Sequence, residues 1–192
     1  LDPTNAKEKS KAEMLAREQG LELYLFLKNN FDCFKDSQLI CSAPEIGVRE
    51  SRKLIGEYIL TGEDIKKCTK FSDGVAACNY DIDIHNPEGS GTTHYYFKPG
   101  KYYTIPYRCL YNKGVSNLIV TGRCISGTHE AEASYRIIPT VSSLGEASGI
   151  VAAQMVKEHK ANYEVDVKEI QNVLRKKNYF IYKFGKRKIT DN

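Results

Sequence analysis

The stretch from Pro139 to His159, PTVSSLGEASGIVAAQMVKEH, constrains the fold of this chain more than any other. Its larger apolar residues recur at helical spacing, and a proline stands where the first turn would begin, so the stretch predicts a long helix. Gly145, Gly149 and Ala153 recur every fourth residue and leave one face of that helix almost without side chains. Such a face either packs tightly against a sheet or lets another backbone or a flat ligand approach closely.

The composition is that of a globular protein. Of 192 residues, 41% are hydrophobic and 27% are charged, so the chain can bury a core as one domain or as a large and a small lobe. No apolar run is long enough to span a bilayer, and we expect no membrane partner. The net charge of +4 is mild, and the basic run Lys183–Lys188 is interpreted as a solvated tail, with no nucleic-acid partner expected.

The six cysteines are widely spaced along the chain. A structural zinc site would need short-spaced pairs of Cys or His, and a disulfide framework is typical of small secreted domains. The spacing therefore favours scattered thiols in a reducing compartment, and we expect a cytoplasmic protein without a metal site.

Two further helices are predicted near the ends of the chain. Asp2-Pro3 is typical of a helix start, and the helix that follows is expected to end near Asn29. Asp166 and Glu169 form the pattern of a capping box before an amphipathic stretch, which predicts a helix close to the C-terminal end.

The middle of the chain is rich in β-branched and aromatic residues, which predicts strands. We expect strands at 54–60 (LIGEYIL), within 80–89 (YDIDIHNPEG), on either side of a hairpin turn at Lys98–Lys101, and at Leu118–Val120, with a short helix starting at Thr61 and Asp64. Antiparallel strands flanked by long helices indicate a mixed α/β, or α+β, fold.

One glycine-rich motif resembles a phosphate-binding fingerprint only in part. Gly89–His94, GSGTTH, has a histidine where the third small residue should stand, and it follows Asn86-Pro87 instead of a strand. Its amides would not be aimed at a pyrophosphate by a helix N-terminus, so the motif is interpreted as a loop.

Other chemical interpretations of the chain are weaker. Asp81, Asp83 and His85 would share one face of a strand and could hold a metal, although a solvated polar face has the same pattern. Ser126 with His129 could serve a hydrolase, but no G-x-S-x-G elbow is present. Cys124 follows an apolar run and is better explained as a packing residue than as a nucleophile.

The stretch TGRCISGTHEAEASYRIIPT, from Thr121 to Thr140, concentrates polar residues between an apolar run and the helix that starts at Pro139. A helix N-terminus carries free amides and the positive end of the helix dipole. A strand that stops at a glycine, a polar loop and a helix N-terminus together predict a site for an anionic group or an electron-rich ring edge.

Four stretches occur in the same order and spacing in a known family: IGVRESRKLIGEYILTGEDI, YDIDIHNPEG, IPYRCLYNKGVSNLIVTGRCISGTHEA and SYRIIPTVSSLGEASGIVAA. Over Glu45–His159 the chain resembles the FAD-dependent oxidoreductases related to the fumarate-reductase and glutathione-reductase flavoproteins. The resemblance implies an extended FAD, with its adenosine half on an N-terminal βαβ unit and its ring end against the C-terminal segment.

The resemblance also implies site residues. The implied cofactor contacts are Gly122, Arg123, Ser126, His129, Glu130, Arg136, Pro139, Thr140 and Gly145. His129 and Arg136 are the implied catalytic residues, as charge-stabilising or proton-transfer groups beside the ring. Arg49 and Arg52 are either surface or salt-bridging charges beside a strand or anchors for an acidic substrate. The implied reaction passes a hydride or an electron pair between an unidentified small molecule and the flavin.

In this family a glycine-rich βαβ unit precedes the matching motifs, and we find none in this sequence. We therefore expect the C-terminal part of a two-lobed FAD-binding fold, acting with a separate N-terminal Rossmann-like segment. The alternative is a truncated, non-catalytic binding or assembly module that dimerises through exposed apolar surface.

The resemblance suggests four segments. We predict an N-terminal helix and connector at residues 1–44, a β-rich region on the substrate side at 45–112, a strand, loop and helix on the flavin side at 113–160, and a C-terminal helix with a basic tail at 161–192.

Overall fold

The computed structural model describes residues 2–85 and 92–181. The chain forms two compact units, Leu1–Arg52 and Lys53–Asn192, which are described separately. Within the described ranges there are five α-helices and two small antiparallel sheets, which confirms the predicted mixed α/β class. No helix in these ranges is long and apolar enough to cross a membrane.

The first unit contains helix α1, Ala6–Asn30. The prediction that this helix starts at Asp2-Pro3 is wrong, because the carboxylate of Asp2 accepts hydrogen bonds from the amide and hydroxyl of Thr4, both at 2.8 Å, and closes a turn instead. Asn5 caps the helix by accepting from the amides that follow it. The end at Asn30 agrees with the prediction.

After a 3-10 turn at Asp32–Phe34, the connector of the first unit is tied back to α1 by polar contacts. Lys9 Nζ lies 2.6 Å from Glu45 Oε2, and the amide of Ile46 donates to Glu13 Oε1 at 2.7 Å. The residues of α1 are not buried, so polar contacts rather than a core hold the connector to the helix.

The second unit is built on two antiparallel strand pairs. Strand β1, Gly74–Cys78, pairs with β4, Tyr103–Pro106, and strand β2, Ile82–His85, pairs with β3, Thr92–Tyr95. The helices of this unit are α2, Gly62–Lys66; α3, His129–Tyr135; α4, Ile138–Glu158; and α5, Val167–Lys176. Both α4 and α5 pack against β1, while α3 packs against β2.

The core of the second unit lies between β1, β4, α4 and α5. Its fully buried side chains include Tyr103 and Ile105 of β4, Leu144 and Val151 of α4, and Leu174 of α5. The predicted helix from Pro139 is therefore confirmed, together with the apolar spacing that predicted it. The capped starts at Thr61 and Asp166 are confirmed as well.

The small-residue face of α4 does not pack tightly against a sheet. Gly149 and Ala153 are exposed, and a Cβ added at Gly145 or Gly149 would meet no atom within 4 Å. The larger apolar residues of the helix take its buried face, so the glycines are turned away from the core. The interpretation as a close helix–sheet contact is wrong within the described residues.

The predicted strand at 54–60 is wrong, because the segment bends at Glu57 and Tyr58 and forms no regular strand. The amides of Glu57 and Tyr58 donate to the carbonyls of Tyr111 and Arg108. On the other side the segment forms one isolated parallel bridge, between Leu60 and Gly127. Because successive groups bond to two different neighbours, no regular ladder forms.

The turn at Lys98–Lys101 is confirmed. Its closing bond runs from the amide of Lys101 to the carbonyl of Lys98 at 3.0 Å, and Gly100 has a φ of 77°. The hairpin is wrong, because the strands on either side do not pair with each other. Each of these strands pairs instead with a strand that precedes it in the chain: β3 with β2, and β4 with β1.

Two other predictions also differ from the structure. Leu118–Val120 is not a strand. Its one backbone hydrogen bond to a more distant segment joins the Val120 amide to the Leu110 carbonyl, and Leu118 is 46% exposed. Of the predicted loop Gly89–His94, residues 89–91 lie outside the described ranges, and the remainder belongs to β3.

Candidate functional site

The polar stretch begins with a tight turn. Gly122 has a φ of 87°, a conformation that glycine adopts without strain. It starts the 3-10 turn Gly122–Cys124, and the thiol of Cys124 donates to the carbonyl of Thr121 at 3.4 Å. This turn lies against α4, and Arg123 within it is exposed.

Ser126 lies in the interior, where the chain is closely packed. A Cβ at Gly56 would sit 2.9 Å from the Ser126 Cβ and 2.8 Å from the carbonyl oxygen of Arg108. Ser126 is fully buried, and its hydroxyl has no hydrogen-bond partner among the described residues. A hydroxyl enclosed in this way is not presented to an outside substrate, which argues against the serine-hydrolase interpretation.

His129 and Glu130 lie on the first turn of α3, where the sequence predicted a loop. Thr128 caps this helix: its hydroxyl accepts from the Ala131 amide at 3.3 Å, and its own amide donates to the carbonyl of Leu60 at 2.8 Å. A threonine followed by two acidic residues in the next turn is a typical helix start. That signal was present in the sequence and could have found the helix.

The side chain of Glu130 contacts α2. Its Oε1 lies 3.5 Å from Lys66 Nζ, and it lies so close to Gly62 that a Cβ there would clash with it. His129, next to it, is exposed. The two predicted cofactor contacts on this turn therefore have different surroundings.

A buried ion pair and a hydroxyl network fix α3 in the second unit. Lys53 Nζ lies 3.3 Å from Glu132 Oε2, and Glu132 is only 1% exposed. Ser134 Oγ donates to the carbonyl of Tyr80 at 2.5 Å and lies 2.8 Å from the hydroxyl of Tyr103. Burial holds the pKa of Tyr103 well above its usual value, so its hydroxyl stays neutral. Sequence reasoning missed both features.

Arg136 ends α3 and reaches strand β2. Its Nη2 donates to the carbonyl of Asp83 at 3.2 Å, and the side chain is half-buried. Helix α4 begins two residues later, so this bond ties the junction between the two helices to the sheet.

The carboxylates of the possible metal face have partners within the fold. Asp81 Oδ1 accepts from the amide of Phe97 at 2.8 Å, and Asp83 Oδ1 lies 3.4 Å from His94 Nε2. The side chain of His85 lies outside the described residues.

The N-terminus of α4 carries no side-chain cap. Ile137 is the N-cap and makes no side-chain bond, and the first turn contains no acidic residue. Ile138 is 79% exposed and Pro139 is also exposed, whereas Thr140 is buried. The positive end of this 21-residue helix is therefore neither capped nor neutralised by its own first turn.

The predicted residues do not form one cluster. Arg136, Pro139 and Thr140 meet at the junction of α3 and α4, and the turn with Gly122 and Arg123 lies against α4. Glu130 lies instead at α2, Ser126 lies in the interior, and Gly145 lies two turns along α4. Arg49 and Arg52 are exposed residues of the first unit.

The family model of the FAD dependent oxidoreductases matches residues 1–174. Because the match covers most of the chain, the protein belongs to this family, which confirms the resemblance drawn from the four sequence stretches. The match extends beyond the stretches from Glu45 to His159 at both ends. No curated protein and no solved structure gives a significant match.

The described residues fit one part of an FAD molecule. The uncapped positive end of α4 suits the electron-rich edge of a flavin ring. Among the described helices, none begins with the glycine-rich turn that usually holds a pyrophosphate.

Proposed function

We propose that this chain supplies the ring side of an FAD site in an oxidoreductase. The observation that carries the proposal is the uncapped N-terminus of α4, which has no acidic residue in its first turn and has an exposed first residue, Ile138. Family membership supports the same cofactor. FAD, when bound, supplies the hydride or electron chemistry, and the protein orients it and sets the surrounding charge.

Residues around the junction of α3 and α4 have distinct proposed roles. The amides of the first turn of α4 hold the electron-rich edge of the ring, and Arg123, exposed on the turn that lies against α4, adds positive charge. His129, exposed at the start of α3, is the proposed proton-transfer group. Arg136 keeps the junction on β2 through its bond to Asp83, which supports a positioning role.

The substrate is proposed to be a small acidic molecule. Two exposed guanidinium groups, Arg49 and Arg52, are the proposed anchors, since arginine binds carboxylates in a bidentate manner.

Placing a charge at the start of α4 tests the proposal. Ile138→Asp adds a carboxylate at an exposed position, which stabilises the helix by about 0.3–1 kcal/mol but repels an electron-rich ring edge. We expect FAD affinity, followed by flavin absorbance and fluorescence, to fall roughly tenfold while the melting temperature is unchanged or higher.

The matched control is Ile138→Asn, which is similar in size to the aspartate variant but uncharged. This variant should retain the wild-type affinity for FAD. Equal affinity of the Asp and Asn variants would contradict the proposed position of the ring. Protein that stays colourless in excess FAD would contradict FAD binding by this chain alone.

A second candidate function is a non-catalytic binding or assembly module. It is favoured by the open face of α4, where Gly149 and Ala153 are exposed and Val156 is 76% exposed. Colourless protein that elutes as a dimer from a size-exclusion column would support this candidate over the first.

A further inference from the structure

A basic cleft lies in the second unit, lined by the C-terminal end of α2, the end of β3 and the turn Lys98–Lys101. Its volume is about 410 Å³, within the range of roughly 300–1,000 Å³ that is usual for small-molecule sites. The side chains that matter here are Lys66, Lys67, Lys98, Lys101, Tyr95 and Tyr96. None of these residues belongs to the proposed flavin site.

The cleft carries more positive than negative charge. Lys66 lies 3.6 Å from Glu63 and 3.5 Å from Glu130, and Lys67 lies 3.9 Å from the same Glu63. Lys98 and Lys101 are exposed, and no carboxylate of the described residues forms an ion pair with either. Two lysines thus share two glutamates, while two others remain available to an anion.

A fifth lysine adds to the positive field. Lys70 Nζ donates to the carbonyl of Tyr102 and, at 3.0 Å, to that of Cys68, and it lies 3.6 Å from the centre of the Tyr102 ring. Its pKa is lowered, mainly by burial and further by the charge of Lys101. An anion bound at Lys98 and Lys101 would relieve this repulsion.

The same cleft presents aromatic surface. Tyr96 is 69% exposed although its ring stacks on that of His94, with centroids 5.3 Å apart and planes at 13°. Tyr95 is held in place, because its hydroxyl donates to the carbonyl of Lys66 at 3.2 Å and its ring meets Phe97 edge-on. The exposed ring of Tyr96, stacked on His94, is suited to stacking against a planar ligand.

We propose that this cleft binds a nucleoside phosphate, separate from the flavin. Its phosphates contact Lys98 and Lys101 through charge-assisted hydrogen bonds, and its base stacks on Tyr96. Both features are needed for this ligand: lysines alone would suit any anion, and a tyrosine alone would suit any flat ring. The proposal does not depend on the assignment of FAD to α4.

Calorimetric titration of the full chain tests the proposal, with ADP as the probe and with pyrophosphate and adenosine as its two halves. We expect ADP to bind at least roughly tenfold more tightly than either half. The double variant Lys98→Ala/Lys101→Ala should weaken ADP and pyrophosphate alike, by roughly tenfold or more. Tyr96→Ala should weaken ADP roughly tenfold and leave pyrophosphate unchanged.

The control for the lysines is the double variant Lys157→Ala/Lys168→Ala, which removes the same charge from exposed positions outside the cleft. It should bind ADP as the wild type does. An equal loss in both double variants would overturn the proposal, and so would pyrophosphate binding as tight as that of ADP. Binding of heparin or of a thymidine homopolymer without binding of ADP would also overturn it, in favour of a polymer surface.

Because FAD itself contains an ADP moiety, the ADP titration is repeated in saturating FAD. We expect the affinity for ADP to be unchanged. Competition between the two that disappears in Lys98→Ala/Lys101→Ala would assign the cleft to the cofactor's own phosphates and overturn a separate nucleotide site. This outcome is independent of whether the Ile138 variants alter flavin binding.

Discussion

At the scale of single residues, Gly56 lies at a point of close backbone packing beside the polar stretch. A methyl group at this position would lie 2.8 Å from the backbone oxygen of Arg108, which cannot move without disturbing its neighbours, and 2.9 Å from Ser126. We expect Gly56→Ala to lower the free energy of unfolding by about 1–3 kcal/mol, measured by urea unfolding.

Gly149 supplies the control for this substitution. It is an exposed position inside α4 with open space around it, so Gly149→Ala should raise the free energy of unfolding by about 0.5–1 kcal/mol through helix propensity. If Gly56→Ala is as stable as Gly149→Ala, the close approach of residues 56, 108 and 126 is wrong.

The buried thiol of Cys109 should make the stability of the fold depend on alkaline pH. Burial raises the pKa of this thiol from 9.0 to about 12. Below pH 9 the thiol keeps its proton in both the folded and the unfolded state, so it does not change the free energy of unfolding. Between pH 9 and 12 the unfolded chain releases the proton while the folded chain retains it, so stability falls as the pH rises.

Each pH unit above 9.0 corresponds to a loss of about 1.4 kcal/mol in the free energy of unfolding. Between pH 8 and pH 10 the wild type should therefore lose about 1.4 kcal/mol more than Cys109→Ala, by urea unfolding at each pH. Cys33→Ala, which removes an exposed thiol of the first unit, should behave as the wild type. Identical losses in the wild type and Cys109→Ala would contradict the prediction.

At the scale of elements, Asn162 stabilises the loop at residues 115–118, which precedes the polar stretch, through hydrogen bonds. It is fully buried, and its side-chain amide donates to the carbonyls of Val115 at 2.8 Å and Leu118 at 2.9 Å. Its backbone amide donates to Ser116, and its carbonyl accepts from the hydroxyl of Tyr107 at 2.6 Å. One residue between α4 and α5 thus orders a loop far from it in sequence.

Asn162→Asp keeps the shape of this side chain but removes its two N–H donors and sets a carboxylate against carbonyl oxygens. We expect a loss of roughly 2–4 kcal/mol in the free energy of unfolding. Asn172→Asp is the control, because Asn172 is exposed and already accepts from Arg175, so the change should stay within about 0.5 kcal/mol. Similar effects of the two variants would contradict the role of Asn162.

Helices of this chain could be predicted well from its sequence, and the reasons are local. Pro139, Asp166 and the pair Thr61 and Asp64 are capping signals within one or two turns of the residues they organise. The helix at His129 had the same kind of signal in Thr128. Its missed assignment was an error of interpretation and not a limit of the sequence.

Strand pairing could not be predicted in the same way. Pro99 and Gly100 predict a turn, and the aromatic residues on both sides predict strands. Neither pattern indicates which segment each strand pairs with. Nor could spacing predict that LIGEYIL bonds to two neighbours, because that depends on Arg108 and Ser126, which lie far away in sequence.

At the scale of the whole molecule, the buried hydrophobic residues of the described ranges all belong to the second unit. The mixed α/β class and the FAD-dependent family followed from the sequence, because both rest on patterns that continue over long stretches. The arrangement of the site did not. Motif order could not predict that Glu130 would contact α2 and that Ser126 would be enclosed.

The segment at 54–60 also bears on how this protein folds during its synthesis. Asn112 donates to the carbonyl of Ile55, 57 positions earlier, and the remaining partners of the segment extend to Thr128. Contacts between such distant positions close large loops and slow folding. During synthesis the segment leaves the ribosome before these partners exist. Leu60, which is buried in the folded protein, therefore remains unpaired and accessible to chaperones until Thr128 has emerged.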